Sequence, residues 1–255
     1  MQAASTAPAP SGRAALTHNL RSIGHRVAAG MIGGFGCGLI IGGIGGRLAM
    51  FVLRLTTGDH VAGLESDDGF IIGSFTSDTL FLIGMAAFMG GFVGILYAGL
   101  RNWLPVRARA AASAGFLGTV GGAAIVHPGG VDFTLLGPRW LAILLFVLLP
   151  AGFGYAMSAT VERLLKRRPG RVLPWIGALV SFVPLLVMGA GGGVQALIVL
   201  AVVVVLLAAS MAGSRFDLLR RLPKLPAVVW AVRSALVAGA AAGAWFLARD
   251  VVAIL

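Results

Sequence analysis

The chain has 255 residues, of which 58% are apolar (AVILMFWYC), 11% are charged and 38 are glycine. Soluble domains carry about 25% charged residues, so this composition excludes an ordinary soluble enzyme, a disordered chain and a nucleic-acid module; it points to a polytopic membrane protein. The net charge of +11 comes from bases in short clusters between apolar runs, which is how loops held on the cytoplasmic side against anionic headgroups read.

Residues 1–22 are rich in Ala, Pro and Ser and are expected to form a disordered cytoplasmic tail. Residues 23–255 then read as a single transmembrane helical domain. A spanning helix needs about 20 apolar residues, and the candidate spans are 27–55, 79–100, 110–126, 140–161, 173–188, 194–213 and 227–247. The first is too long for the roughly 7–15-residue apolar stretch of a cleaved signal peptide, so it is expected to be retained. The segments 110–126 and 173–188 are short enough for a re-entrant path to be an alternative to a full span.

Charge segregation orients these spans. The N-terminus (Arg13, Arg21, Arg26), the 101–109 loop (Arg101, Arg107, Arg109), the 162–172 loop and the 214–226 loop hold most of the bases. Asp59, Glu65, Asp67, Asp68, Asp78, Asp132 and Asp250 gather on the opposite side. The positive-inside rule then gives an all-α bundle of about seven spans in the plasma membrane, N-terminus in and C-terminus out.

Within the first span, Gly30, Gly34, Gly38, Gly42 and Gly46 recur every fourth residue. Residues four apart stack on one helix face. In lipid, where helices gain nothing hydrophobic by associating, small residues let backbones approach and pack. The stripe reads as an intrachain packing seam, with a homo-oligomer seam or a pore-lining face as the alternatives. Looser versions recur at Ala86, Gly90, Gly94 and Ala98, at Ala114, Gly118 and Gly122, and at Ala235, Gly239 and Gly243.

Arg47 follows Val27 at a helical distance of about 30 Å, near the outer edge of the hydrocarbon, and Arg54 lies two turns further on. Such an arginine needs a partner. Asp59, Asp67, Asp68, Asp78 and Asp132 are candidates for an ion pair that pins the outer loops to the bundle. The alternatives are snorkelling to headgroups or binding of an anionic ligand by Arg47 and Arg54. His60, His127 and these carboxylates have no tight metal-ligand spacing, so no metal site is expected. The single Cys37 excludes an intrachain disulfide.

Catalytic motifs are missing from the sequence: there is no G-x-S-x-G, no H-E-x-x-H and no pair of intramembrane aspartates. The glycine strings of the first span lack the strand that a dinucleotide site needs, and no cofactor is expected. The last span has no lysine for a retinal Schiff base. The strings GGRLAMFVLRLT, DDGF and HPGGVDFTLLGPRW resemble those of uncharacterised multi-pass membrane proteins of high-GC Gram-positive bacteria, over about residues 27–165. That resemblance implies a membrane protein and carries no chemistry.

The expected function is non-enzymatic: an accessory or structural membrane component. Its outer face, built by residues 58–78 and 127–138, would meet a membrane-protein partner, a second copy or lipid, and no nucleic acid. A small-solute transporter or channel is the alternative, suggested by Pro150 and Pro184 within spans. A membrane enzyme acting on lipid is the third reading.

Overall fold

A computed structural model describes residues 12–58, 77–166 and 225–255, and among these every regular element is helical. The described residues open with α1 (Gly12–Cys37), which passes without a break through a π-helical segment (Gly38–Gly45) and continues as α2 (Gly46–Thr57). There follow α3 (Ser77–Leu100), a 3₁₀ turn (Val106–Ala108), α4 (Arg109–Ile125), the short α5 (Val131–Thr134), α6 (Arg139–Lys166) and α7 (Pro226–Ile254). Four stretches are long and apolar enough to cross a membrane: Ser22–Thr57, Thr79–Leu100, Arg139–Lys166 and Pro226–Ile254. The 17-residue α4, at about 1.5 Å per residue, extends about 26 Å and falls just short of that group. The expected spans 173–188 and 194–213, and most of the 58–78 loop, lie outside the described residues.

Local chemistry accounts for the helix ends. The helix α1 begins inside the stretch expected to be tail, because Arg13, Ala14, Ala15 and Leu16 are strong helix formers. Gly58 closes α2 at φ 101°, a conformation that favours glycine, and its N–H reaches the Arg54 carbonyl at 3.1 Å. Pro226 opens α7, where its missing N–H costs nothing. Pro150 does not interrupt α6. Its ring packs against α4, where a Cβ on Gly121 would stand 2.8 Å from the Pro150 Cβ.

The helices run alternately up and down. One end of the bundle gathers the C-terminus of α3, the start of α4 and the C-terminus of α6, through Arg101, Arg109 and Glu162. Arg233, two turns into α7, joins that end by donating from Nε to the Trp103 carbonyl at 2.8 Å. At the other end Thr56 and Thr57 donate to the Gly137 carbonyl at 2.8 and 3.0 Å, and Arg139 Nη1 donates to the Ile254 carbonyl at 3.0 Å. There a small apolar cluster of Leu53, Val126, Phe133, Leu136, Ala142 and Ile254 closes the bundle. Phe133 stands edge-on to Phe146, with ring centroids 5.5 Å apart.

Small residues share the interior of the first helix pair with Met31, Leu53, Phe88 and Tyr97, while many large apolar side chains face outward. Ala28, Ala29, Ala87 and Ala98 are buried, whereas Ile40, Leu48, Phe51, Leu80 and Phe81 are exposed, as are Trp230 and Trp245 of α7. An outer surface so rich in large apolar side chains suits helices surrounded by lipid.

The first span meets α3 through its glycines. A Cβ on Gly30 would lie 2.6 Å from the Gly94 carbonyl oxygen, one on Gly34 2.1 Å from that of Gly90, and one on Gly38 2.5 Å from that of Ala86. The contacts are reciprocal, since Cβ atoms on Gly94 and Gly90 would strike the Gly30 and Gly34 oxygens at 2.1 and 2.6 Å. Backbone therefore touches backbone down this antiparallel pair. Further along, the π segment opens the helical turn and a spacing of four no longer keeps residues on one face. Gly42 meets only the Ala86 Cβ at 3.4 Å, Gly43 turns onto Ile83 instead, and Gly46 has nothing within 4 Å. The seam made of every fourth glycine runs from Gly30 to Gly38, the residue that opens the π segment, and stops there.

Candidate functional site

The residues singled out from sequence are spread along the first span and over the end closed by the apolar cluster. Gly30, Gly34 and Gly38 face α3 as described. The Arg47 guanidinium donates through Nη2 to the hydroxyl of Thr79, which is itself buried at the start of α3. Arg54 is half-buried one turn before the end of α2. Asp132 sits in the first turn of α5 with 5% of its surface exposed. Asp67 and Asp68 lie outside the described residues. His127 hydrogen-bonds through Nδ1 to the Ile125 carbonyl at 2.9 Å and packs edge-on to Phe133, so it closes the end of α4. Among the described residues, no three His, Cys, Asp or Glu side chains come together as metal ligands would.

A different constellation forms at the opposite, base-rich end, and it is built around Glu162 on the last turns of α6. Arg101, just past α3, grips this carboxylate along one edge of its guanidinium. Nε donates to Oε1 at 2.7 Å and Nη2 to Oε2 at 2.7 Å. Arg109, the first residue of α4, adds Nη1 to Oε1 at 3.1 Å, and the Tyr97 hydroxyl donates to Oε1 at 3.1 Å. The forked guanidinium geometry matches a carboxylate, which makes such pairs directional as well as strong. All three charged side chains keep only 13 to 20% of their surface exposed. Hydrogen bonding to the carboxylate raises the Arg101 pKa above its ordinary value. The cluster ties α3, α4 and α6 together and rests on an apolar floor of Tyr97, Ala98, Met157 and Val161.

This cluster forms one wall of a cavity of about 600 Å³ between α1, α3, α4 and α6. Arg26, Arg107 and Lys166 stand exposed at its rim. His25 of α1 lines the cavity with only 7% of its surface exposed, and neither ring nitrogen has a hydrogen-bond partner among the described residues. The arrangement brings five bases around one carboxylate, and that carboxylate is already engaged by two of them. Its electrostatics suit a negatively charged group.

In the sequence these arginines look like topology signals alone, and the contacts of Glu162 are invisible there. The clue in the sequence was its isolation: it is the acid that opens a run of Arg163, Lys166, Arg167 and Arg168. An acid placed against that charge gradient calls for specific partners. Comparison with family models, with curated proteins and with solved structures finds no match to this chain.

Proposed function

We propose that this protein is a non-enzymatic, multi-pass component of the plasma membrane, with seven spans, its N-terminus in and its C-terminus out, and that its base-rich end is the binding face. The observation that carries the reading is the cavity in which one carboxylate is matched to two arginines while three further bases remain at the rim. The helix order supports the topology. α6 ends and α7 begins at the same end of the bundle, which agrees with an even number of spans between them, such as the pair expected at 173–188 and 194–213. The positive-inside rule then puts the cavity on the cytoplasmic side.

The residues 127–138 offer less to a partner than their sequence suggests, because Asp132, Phe133 and Leu136 turn into the bundle. That favours the base-rich end over the outer face as the accessory surface. A transporter or channel is the second reading, favoured by the π segment in the first span, since such segments are frequent where helices do functional work.

Reporter fusions and reconstitution test both parts. A reporter after Leu255 is expected outside and one at Pro169 inside; the same side for both refutes the seven-span arrangement. Purified protein should retain a stoichiometric partner or lipid and show no turnover. Solute-dependent flux in proteoliposomes would replace the accessory reading with the transporter one.

A further inference from the structure

We propose that the cavity at the base-rich end is a binding site for a phosphate group, with His25 as its buried donor and Arg26, Arg107 and Lys166 as its charged rim. The inference deepens, and rests on, the reading of that end as the binding face. Three observations support it. The Glu162 carboxylate is taken up by Arg101, Arg109 and Tyr97, so it does not neutralise the rim. Arg26, Arg107 and Lys166 line the same cavity and are exposed at its mouth. His25 is buried to 7% exposure with both nitrogens unpartnered among the described residues, a costly placement for a polar ring.

Phosphate is the chemistry that fits. A phosphate presents several strong acceptor oxygens to guanidinium, ammonium, imidazole and hydroxyl donors, and the Ser22 hydroxyl lies in the same lining. A volume of about 600 Å³ is far larger than one phosphate needs, and Val106, Ala110 and Leu165 give the rest of the wall an apolar character. The ligand therefore carries a phosphate attached to a larger, partly apolar body. Two sources share that chemistry: the headgroup of an anionic phospholipid and a soluble phosphate ester.

The test uses the full chain, purified in neutral detergent and in phosphatidylcholine nanodiscs, with and without phosphatidylglycerol. The probes are inorganic phosphate, glycerol phosphate and phosphatidylglycerol itself. Binding is read by thermal shift against chloride at matched ionic strength and by lipid retention in native mass spectrometry. We expect the double variant Arg26→Gln/Arg107→Gln to weaken binding about tenfold or more, since it removes two charge-assisted contacts. His25→Gln should also weaken it. Arg163→Gln should bind as wild type does, because it removes an exposed base at the same end but outside the cavity. Melting temperatures without ligand identify any variant that fails to fold, and the exposed rim pair keeps the test valid if His25→Gln is one.

Retention of phosphatidylglycerol identifies a lipid source, and binding of the soluble phosphates in pure phosphatidylcholine identifies a soluble one; either supports the site. Failure of every probe, wild-type affinity in the rim variant, or an equal loss in Arg163→Gln overturns it. Loss of phosphate binding with reporter positions as expected overturns this inference alone. Reversed reporter positions overturn the topology and leave the detergent measurement standing.

Discussion

Replacing Gly34 by alanine adds one methyl group to a helix, and in most helices that is stabilising by about 0.5–1 kcal/mol because glycine loses more backbone freedom on folding. Here the methyl would sit 2.1 Å from the Gly90 carbonyl oxygen and 2.8 Å from its carbon, where ordinary contact begins at 3.4 Å. Both atoms belong to the backbone of α3, so no side chain can swing aside. The helices must separate, and that strips the neighbouring contacts at Gly30 with Gly94 and Gly38 with Ala86. Overpacking of this kind costs about 1–3 kcal/mol, which exceeds the propensity gain. Gly36 supplies the control on the same helix, since a Cβ there meets nothing within 4 Å. We expect Gly36→Ala to be neutral or stabilising and Gly34→Ala to be destabilising, a difference of about 2 kcal/mol with opposite signs. Thermal unfolding in mild detergent, followed by tryptophan fluorescence, measures it. A Gly34→Ala variant as stable as wild type would show that the two backbones do not touch.

Glu162→Gln should destabilise the base-rich end, because it leaves Arg101 and Arg109 partly buried without a counter-charge; about 2–4 kcal/mol is expected, between the values for exposed and buried pairs. A double-mutant cycle with Arg101→Gln should show strong coupling, and additivity would refute the cluster. Arg47→Leu is expected to cost more stability than Arg54→Leu, and Thr79→Val should reproduce part of the Arg47 loss in the same unfolding assay, since the buried hydroxyl accepts from that guanidinium. Arg139→Leu should release the last turn of α7 from the Ile254 carbonyl contact, seen as faster amide exchange near the C-terminus with little change elsewhere.

Much of the architecture could be read from hydropathy. The limits of the apolar runs at 79–100 and 140–161 lie close to those of α3 and α6, because in lipid a helix is the one open-ended backbone that satisfies its own hydrogen bonds. The four-residue glycine spacing pointed to a close approach, and α3 offers its own small residues at 86, 90 and 94 to receive it. What stayed hidden was tertiary. No local rule says that Gly38–Gly45 will adopt a wider turn, so the fate of Gly46 could not be read from its spacing. Nor does loop-by-loop charge counting reveal that Arg101, Arg109 and Glu162, more than fifty residues apart at the extremes, converge on one point. Topology signals and buried ion clusters use the same amino acids, and only the fold separates the two uses.

The π segment also bears on how the first span tolerates changes in length. Removing one residue from an ordinary α-helix turns everything beyond it by about 100°, so every later side chain changes neighbours. A stretch bonded five residues apart holds slack that an α-turn does not. A single deletion within 39–45 can be taken up by tightening that stretch, leaving the glycine seam on one side and the Arg47–Thr79 contact on the other each in its own register. The same deletion between Gly30 and Gly34 has no such reserve. Single-residue deletions in relatives of this chain should therefore concentrate in the eight residues where the helix is already wide.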